Sequence, residues 1–331
     1  MRRQHRPVPV STSNRDLDST ASIGGRLFPS WCQGLRLLTL CLLSLTLCGC
    51  GHLFFYPSKE HYLTPDQIGL RYQDIYIDTP DGETLHAWLL PAAGQLRGTL
   101  YFLHGNAENI STHIGSVMWL PAQGYQVLLL DYRGFGRSTG TPNIDTALVD
   151  AETGYRWLMA RPETQELPVF LLGQSLGAAI TTTFSAQMPD LHERVQGVIL
   201  DAGFASYRGI AREKLAQFWL TWPLQYPLSW LLPGDVDPQD HIGAISPTPL
   251  LLIHSLRDLI IPYHHVEALF DRAAEPKALL TTNTQHTGTF GTKDYRIKVL
   301  QFMEIVASRR PPPMLQASHE NARQRLDMAT N

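Results

Sequence analysis

The chemistry of this chain centres on one pentapeptide. Gly173-Gln174-Ser175-Leu176-Gly177 has the spacing G-x-S-x-G, between the apolar run Val169-Phe170-Leu171-Leu172 and a small-residue stretch, Ala178–Gln187. Strand, tight turn, helix is the context in which this motif presents a nucleophile. The glycines permit the sharp turn and a close strand-to-helix approach. The turn lifts the Ser175 hydroxyl above the strand end, and the helix N-terminus favours negative charge developing beside it. A serine at neutral pH attacks a carbonyl only with a base to take its proton and an acid to orient that base.

Behind such a turn the chain order is serine, acid, histidine. The downstream histidines are His192, His241, His254, His264, His265, His286 and His319. His286, in Thr284-Gln285-His286-Thr287-Gly288, follows the last apolar run and precedes the last helical stretch. At that strand end a base can lean over the turn. His254 ends the preceding run and suits a structural role. Two carboxylates compete as the acid. Asp258 lies in a loop just before the run that delivers His286, and Asp201 ends the run Gly197–Leu200. The oxyanion needs backbone N–H donors. The N–H of Leu176 is one candidate. The N–H of Asn106, in Leu103-His104-Gly105-Asn106-Ala107, is the other, with His104 bracing that loop.

These residues must be positioned by alternating elements. Tyr72–Thr79 and Thr84–Leu90 flank Pro80-Asp81-Gly82-Glu83 and read as a β-hairpin. Buried-strand candidates follow at Thr99–Leu103, Gln126–Leu130, Val169–Leu172, Gly197–Leu200, Leu250–Ile253 and Ala278–Thr281. Helical patterns fall at 110–123, 145–160, 176–188, 262–273 and 293–307. This alternation predicts an α/β fold with a mostly parallel, doubly covered sheet opened by an antiparallel hairpin. Residues 59–308 form the expected domain, and 309–331, opening with Arg309-Arg310-Pro311-Pro312-Pro313, read as a disordered tail.

All four cysteines, Cys32, Cys41, Cys48 and Cys50, lie in the first 50 residues. The body therefore has no disulfide framework, cysteine-based zinc site or cysteine nucleophile. No H-E-x-x-H or comparable ligand spacing occurs, so neither metal nor cofactor is expected. With 44% apolar and 17% charged residues the chain is not a disordered one. Six arginines and two aspartates fall in residues 1–49, which leaves the remainder at a formal charge of −7 and argues against a nucleic-acid partner. Oligomeric state is not legible.

Residues 1–50 read as a targeting segment. Arg26 and Arg36 precede the 11-residue apolar run Leu37–Leu47, too short to span a bilayer comfortably. Its basic flank is longer than the pattern, which points to a start downstream of Met1. Leu47-Cys48-Gly49-Cys50 resembles the lipobox of bacterial lipoproteins, which implies lipidation of Cys50 and a membrane-anchored domain outside the cytoplasm. An uncleaved anchor over residues 35–56 and a plain secretory signal are the alternatives.

Taken together, His104-Gly105-Asn106-Ala107, Asp131-Tyr132-Arg133-Gly134-Phe135-Gly136-Arg137-Ser138, Gly173–Gly177, the Asp258 loop and His286 resemble the α/β-hydrolase fold family. The branch that includes protein depalmitoylases and bacterial membrane-associated serine hydrolases is similar. The resemblance covers roughly residues 70–307 and implies a cofactor-free serine hydrolase of esters or thioesters, with Ser175, Asp258 and His286 as triad. One departure is local: no glycine stands just before His286. Arg133 is expected to make a structural bridge. Residues 204–234, rich in Trp219, Trp222, Trp230, Phe218 and Tyr226, are expected to form a short helical cap. Its aromatics would favour an apolar acyl group, bury the cap on the domain, or meet a membrane. A serine peptidase or aminopeptidase on the same fold, and a non-catalytic membrane-tethered binding protein, are the competing functions.

Overall fold

The computed structural model describes residues 54–309, so the targeting segment with Cys50 and the tail from Arg310 lie outside the described residues. Eight strands form one sheet: β1 (Gln73–Asp78), β2 (Thr84–Leu90), β3 (Gly98–Leu103), β4 (Tyr125–Asp131), β5 (Val169–Gln174), β6 (Gly197–Asp201), β7 (Leu250–Ser255) and β8 (Lys277–Thr282). Their order is β8-β7-β6-β5-β3-β4-β2-β1, and β2 alone runs antiparallel to its neighbours. Every residue of β3, β4 and β5 is buried. That is why their sequences are continuous apolar runs, as in a sheet covered on both faces. Edge strand β1 instead alternates, with Ile77 inward and its neighbours exposed.

Successive side chains feed two cores. Tyr101, Leu103, Leu128, Leu130 and Leu171 pack with helices α1 (Ile144–Met159), α2 (Leu176–Gln187) and α5 (His264–Arg272). Leu100, Phe102, Val127, Leu129, Phe170 and Leu172 pack with α6 (Lys293–Arg309) and the segment after β3. Helix α2 is buried on every side from Leu176 to Ser185, which explains its small residues. Asn143 caps α1: Thr146 N–H donates to its Oδ1 at 2.9 Å, and the Thr146 hydroxyl accepts the Asn143 N–H at 2.9 Å.

Two expectations change. The stretch 110–123 is not one helix but a single α turn, Ile110–His113, followed by 3₁₀ turns at Ile114–Ser116 and Pro121–Gln123. Ile110, Ile114, Val117 and Leu120 keep their helical spacing and are buried, but Gly115 and Pro121 interrupt the backbone ladder. The folded unit also begins before residue 59. The Phe54 ring meets Tyr207 edge-on at 5.3 Å, and Tyr56–Pro57 pair in parallel with Ala107–Glu108.

Between β6 and β7 the chain forms the cap, with α3 (Tyr207–Ala216), a 3₁₀ turn at Trp222–Leu224, and α4 (Gln225–Ser229). From β3 the chain turns to β4 on one side, while β5 lies on the other. Such a reversal opens a crevice beyond the carboxyl ends of the strands. Leu103 pairs with Gly173, so the loops after β3 and β5 leave the sheet side by side.

Candidate active site

At the end of β5 the backbone of Ser175 takes φ 57°, ψ −117°, a region that side chains avoid. The flanking glycines leave no alternative path. A Cβ at Gly177 would run into the carbonyl oxygens of Leu103 and His104. A Cβ at Gly173 would strike Thr181 Oγ1 and Gly177 O. Ser175 N–H donates to Asp201 O (2.9 Å), which ties the turn to the next strand end. Of the four non-glycine residues with positive φ among those described, Ser175 and Ala202 immediately follow β5 and β6, and Glu108 and Thr287 lie in the segments after β3 and β8.

The structure brings three of the sequence candidates, Ser175, His286 and Asp258, together. His286 Nε2 lies 3.0 Å from Ser175 Oγ, and its Nδ1 lies 2.6 Å from Asp258 Oδ2. Asp258 Oδ1 accepts the N–H groups of Ile260 (2.8 Å) and Ile261 (2.9 Å). Burial works to raise the Asp258 carboxyl, but the hydrogen bond and charge of His286 and those two N–H groups hold it below the usual carboxylate range. Asp201, the rival acid, does not meet His286. Its Oδ2 accepts from Gln174 Nε2 and its Oδ1 from Thr289 Oγ1, both at 2.8 Å. Burial pushes its carboxyl up to about 6.

Asp201 and Gln174 form a brace that the sequence reading missed. Gln174 also donates to Thr287 O (3.2 Å) and accepts from Ser116 Oγ (2.9 Å). The loop carrying His286 is thus held at Thr287 and Thr289, and Thr287, just after the histidine, takes the left-handed conformation, φ 56°. The available signal was a glutamine closing an otherwise apolar strand immediately before the serine.

Leu176 opens α2, and the first N–H groups of a helix have no partner within it. Asn106 lines the same cavity, and its carbonyl oxygen accepts the Tyr56 N–H at 2.8 Å. Asn106, Ser175 and Leu176 thus share the lining of one cavity. His104 braces this loop: it is fully buried, donates through Nδ1 to Gly105 O (2.8 Å), and stacks on His113 at 5.1 Å. Burial pushes the His113 imidazole down to about 4, so it is neutral and donates through Nε2 to Ala107 O (3.0 Å). His254 is structural, bonded to Ile261 O at 2.9 Å. Arg133 bridges Asp150 and Asp81, each at 2.7 Å.

Ser175 opens into a cavity of about 460 Å³ lined by Phe54, Tyr56, Phe204, Ile210, Leu215, Leu228, Leu232, Ile260 and Ile261, with Lys214 the charged side chain among the lining residues. Trp219, Trp222, Trp230, Phe218 and Tyr226, the aromatics expected over the site, do not line it. Trp219, Trp222 and Trp230 are 78%, 59% and 65% exposed, so they neither contact a ligand there nor bury the cap on the domain. The cap sends Ile210, Leu215, Leu228 and Leu232 inward with Phe204, and turns its tryptophans to solvent.

Residues 94–242 match the family model described as serine aminopeptidase, S33. The protein YfhR of Escherichia coli O157:H7 is 33% identical over 258 residues, 76% of this chain and 86% of the relative. The α/β-hydrolase domain-containing protein WAV2 of Arabidopsis thaliana is 28% identical over 272 residues, 76% of this chain and 84% of the relative. Among solved structures, the esterase Pf2001 of Pyrococcus furiosus superposes with a TM-score of 0.60 at 21% identity, over 77% of this chain and 97% of that one, a likeness of fold.

Proposed function

The chain belongs to the α/β-hydrolase family, and from that premise we propose that it is a serine hydrolase of carboxylic esters or acyl-thioesters with an apolar acyl group. The observation that carries this reading is the Ser175–His286–Asp258 chain of hydrogen bonds opening into an apolar cavity. Ser175 Oγ attacks the acyl carbonyl carbon while its proton passes to His286 Nε2. The N–H groups of Asn106 and Leu176 stabilise the oxyanion. The tetrahedral adduct collapses, the alcohol or thiol leaves with the His286 proton, and the acyl group stays on Ser175. A water, deprotonated by His286, then releases the acid. Each step runs without a metal or cofactor.

The aminopeptidase alternative needs an anion to hold a substrate ammonium. The charged side chain lining the cavity is instead a cation, Lys214, which favours the ester reading. The filled hydrogen-bond chain argues against a purely binding role.

The placement of the cap supports a membrane-borne substrate. Trp219, Trp222, Trp230, Phe218 and Leu220 form an exposed apolar surface around the cavity-forming cap, and such patches mark interaction sites. Phe54, which lines the cavity, stands four residues after Cys50. Four residues reach at most about 14 Å, so a lipid on Cys50 would hold the cavity close to a bilayer. We take the chain to be lipid-anchored there, with the domain outside the cytoplasm.

The test is a panel of p-nitrophenyl esters and acyl-thioesters of increasing chain length, with aminoacyl amides as the contrast. The expected kcat/KM rises by up to about fourfold per methylene, from ~0.8 kcal/mol for each CH₂ buried. Ser175→Ala abolishes it while leaving the fold intact. Wild-type turnover in Ser175→Ala, or preference for the amides, would reverse the proposal.

A further inference from the structure

We propose that His61, His86 and Asp131 form a binding site for a divalent transition-metal ion, zinc by its ligand chemistry, that pins the N-terminal strap to the sheet. His61 lies on the strap before β1, His86 on β2, and Asp131 at the end of β4. Their facing atoms, one from each residue, all lie within 4.8 Å of one another. Asp131 Oδ2 stands 3.6 Å from His61 Nε2 and 3.7 Å from His86 Nδ1. Those gaps are too long for hydrogen bonds. They are close to the roughly 3.4 Å between ligand atoms that bonds of 2.0–2.2 Å set in a tetrahedral zinc site.

The protonation pattern gives the gap its sign. His86 Nε2 is 2.7 Å from the Asp74 carboxylate. The proton therefore sits on Nε2, and Nδ1 turns a lone pair toward Asp131 Oδ2, itself an acceptor. His104 repeats the pattern: its Nδ1 donates to Gly105 O, and its Nε2 faces Asp131 Oδ1 at 3.4 Å. A histidinium at position 86 would draw the carboxylate to about 2.7–2.9 Å, well inside the distance found. Acceptors facing acceptors in a buried space call for a cation between them. A carboxylate on the far nitrogen of a histidine is also the support that metal-ligating histidines usually have.

Burial makes these unpaired atoms costly. The side chains of His86 and Asp131 are fully buried, and that of His61 is 8% exposed. Five of the eleven buried side-chain polar atoms without a hydrogen-bond partner among the described residues belong to His61, His86, His104 and Asp131. Such orphans are rare and each is expensive. Gly136 leaves the space open. A Cβ there would collide with Asp131 Oδ2 and stand 2.7 Å from His61 Nε2. The second histidine–carboxylate group, Glu213 with His264 and His265, is already joined by hydrogen bonds of 2.9 and 3.2 Å and needs no ion.

The ion would be structural. It would join the strap that carries Phe54 and Tyr56 into the cavity wall to two strands, and none of its three ligands belongs to the Ser175–His286–Asp258 chain of hydrogen bonds. Its loss is read in binding and stability, independently of whether the chain hydrolyses esters.

The full chain, purified in detergent, is stripped with a chelator, desalted, loaded with zinc and passed through gel filtration before elemental analysis. One equivalent of zinc is expected on the wild type and on His264→Ala, and none on His61→Ala. Cobalt(II) loading should give the visible bands of a four-coordinate site in the wild type and not in His61→Ala. Zinc should raise the wild-type melting temperature and leave that of His61→Ala unchanged. Asp74→Asn, which keeps all three ligands, should weaken zinc binding about 10- to 100-fold, a readout that survives if His61→Ala fails to fold. A wild type that retains no zinc, equal zinc on wild type and His61→Ala, or loss of zinc only in His264→Ala, each overturns the site.

Discussion

Replacing Asp258 by Asn separates the proposed relay from mere packing. Asp258 uses its two oxygens differently: Oδ1 accepts the N–H groups of Ile260 and Ile261, and Oδ2 faces His286 Nδ1 at 2.6 Å. An asparagine has one oxygen and one NH₂. Placing its NH₂ against two backbone N–H donors would leave all of them unpaired, so its oxygen takes the Oδ1 position and its NH₂ turns to His286. The NH₂ then donates to Nδ1, which forces the imidazole proton onto Nε2, the nitrogen 3.0 Å from Ser175 Oγ. A protonated neutral Nε2 cannot accept the serine proton. The expected loss in kcat is on the order of 10⁴-fold, or about 5.4 kcal/mol of barrier. Because the loop N–H groups stay bonded, the melting temperature should fall by only a few degrees. The assay is kcat on a short p-nitrophenyl ester, with thermal unfolding alongside. A folded Asp258→Asn that loses less than about tenfold, or a larger loss from Asp201→Asn, would refute the tautomer argument.

Two further outcomes follow from the same structure. Burial raises the Asp201 carboxyl from 3.8 to about 6, so this group stabilises the fold fully below its unfolded value and loses that contribution as pH rises through about 6. The stability of Asp201→Asn relative to wild type should accordingly improve by about 2 kcal/mol between roughly pH 4.5 and 7.5 in paired urea titrations, and a flat difference contradicts the assigned burial. If Cys50 carries the lipid, metabolic fatty-acid label should appear on the wild type and vanish in Cys50→Ser. A Cys50→Ser chain that is unlabelled yet sediments at full precursor mass would favour the uncleaved anchor.

What the sequence made legible is local. Each core strand was visible because a strand covered on both faces must be an unbroken apolar run, and β3, β5 and β6 fall within two residues of expectation. Ser175 was legible because its motif is contiguous, and His286 and Asp258 because chain order and loop position narrowed them. Contacts that depend on how strand ends meet were not. Gln174, Asp201 and Thr289 join across 27 and 88 residues through side chains that each look unremarkable alone. The same holds for His61, His86 and Asp131, whose spacing matches no ligand pattern. The apolar content of the cap was clear, but its direction was not: aromatic and aliphatic residues are equally apolar in composition, and only the packing of α3 and α4 sends Leu215 and Leu228 inward and Trp219 outward.

The turn at Ser175 shows how the fold subordinates stability to presentation of this hydroxyl, and that relation can be measured. A side chain at φ 57°, ψ −117° costs of order 1–3 kcal/mol, while glycine adopts it freely. Glycine in turn loses about 0.5–1 kcal/mol more chain entropy on folding. Ser175→Gly should therefore be more stable than Ser175→Ala by roughly 1 kcal/mol, or about 2–4 °C in melting temperature for a domain of this size. Alanine keeps the strained Cβ and, like glycine, loses the hydroxyl that His286 meets at 3.0 Å, so both variants are equally inactive and differ only in strain. The neighbouring glycines admit no escape, because Gly173 and Gly177 bring Leu103 O, Thr181 Oγ1 and the α2 backbone against the turn whatever stands at position 175. A Ser175→Gly protein that melts below Ser175→Ala would mean that the turn is not strained, and that the serine's place above the sheet rests on hydrogen bonding rather than on a backbone held in a costly conformation.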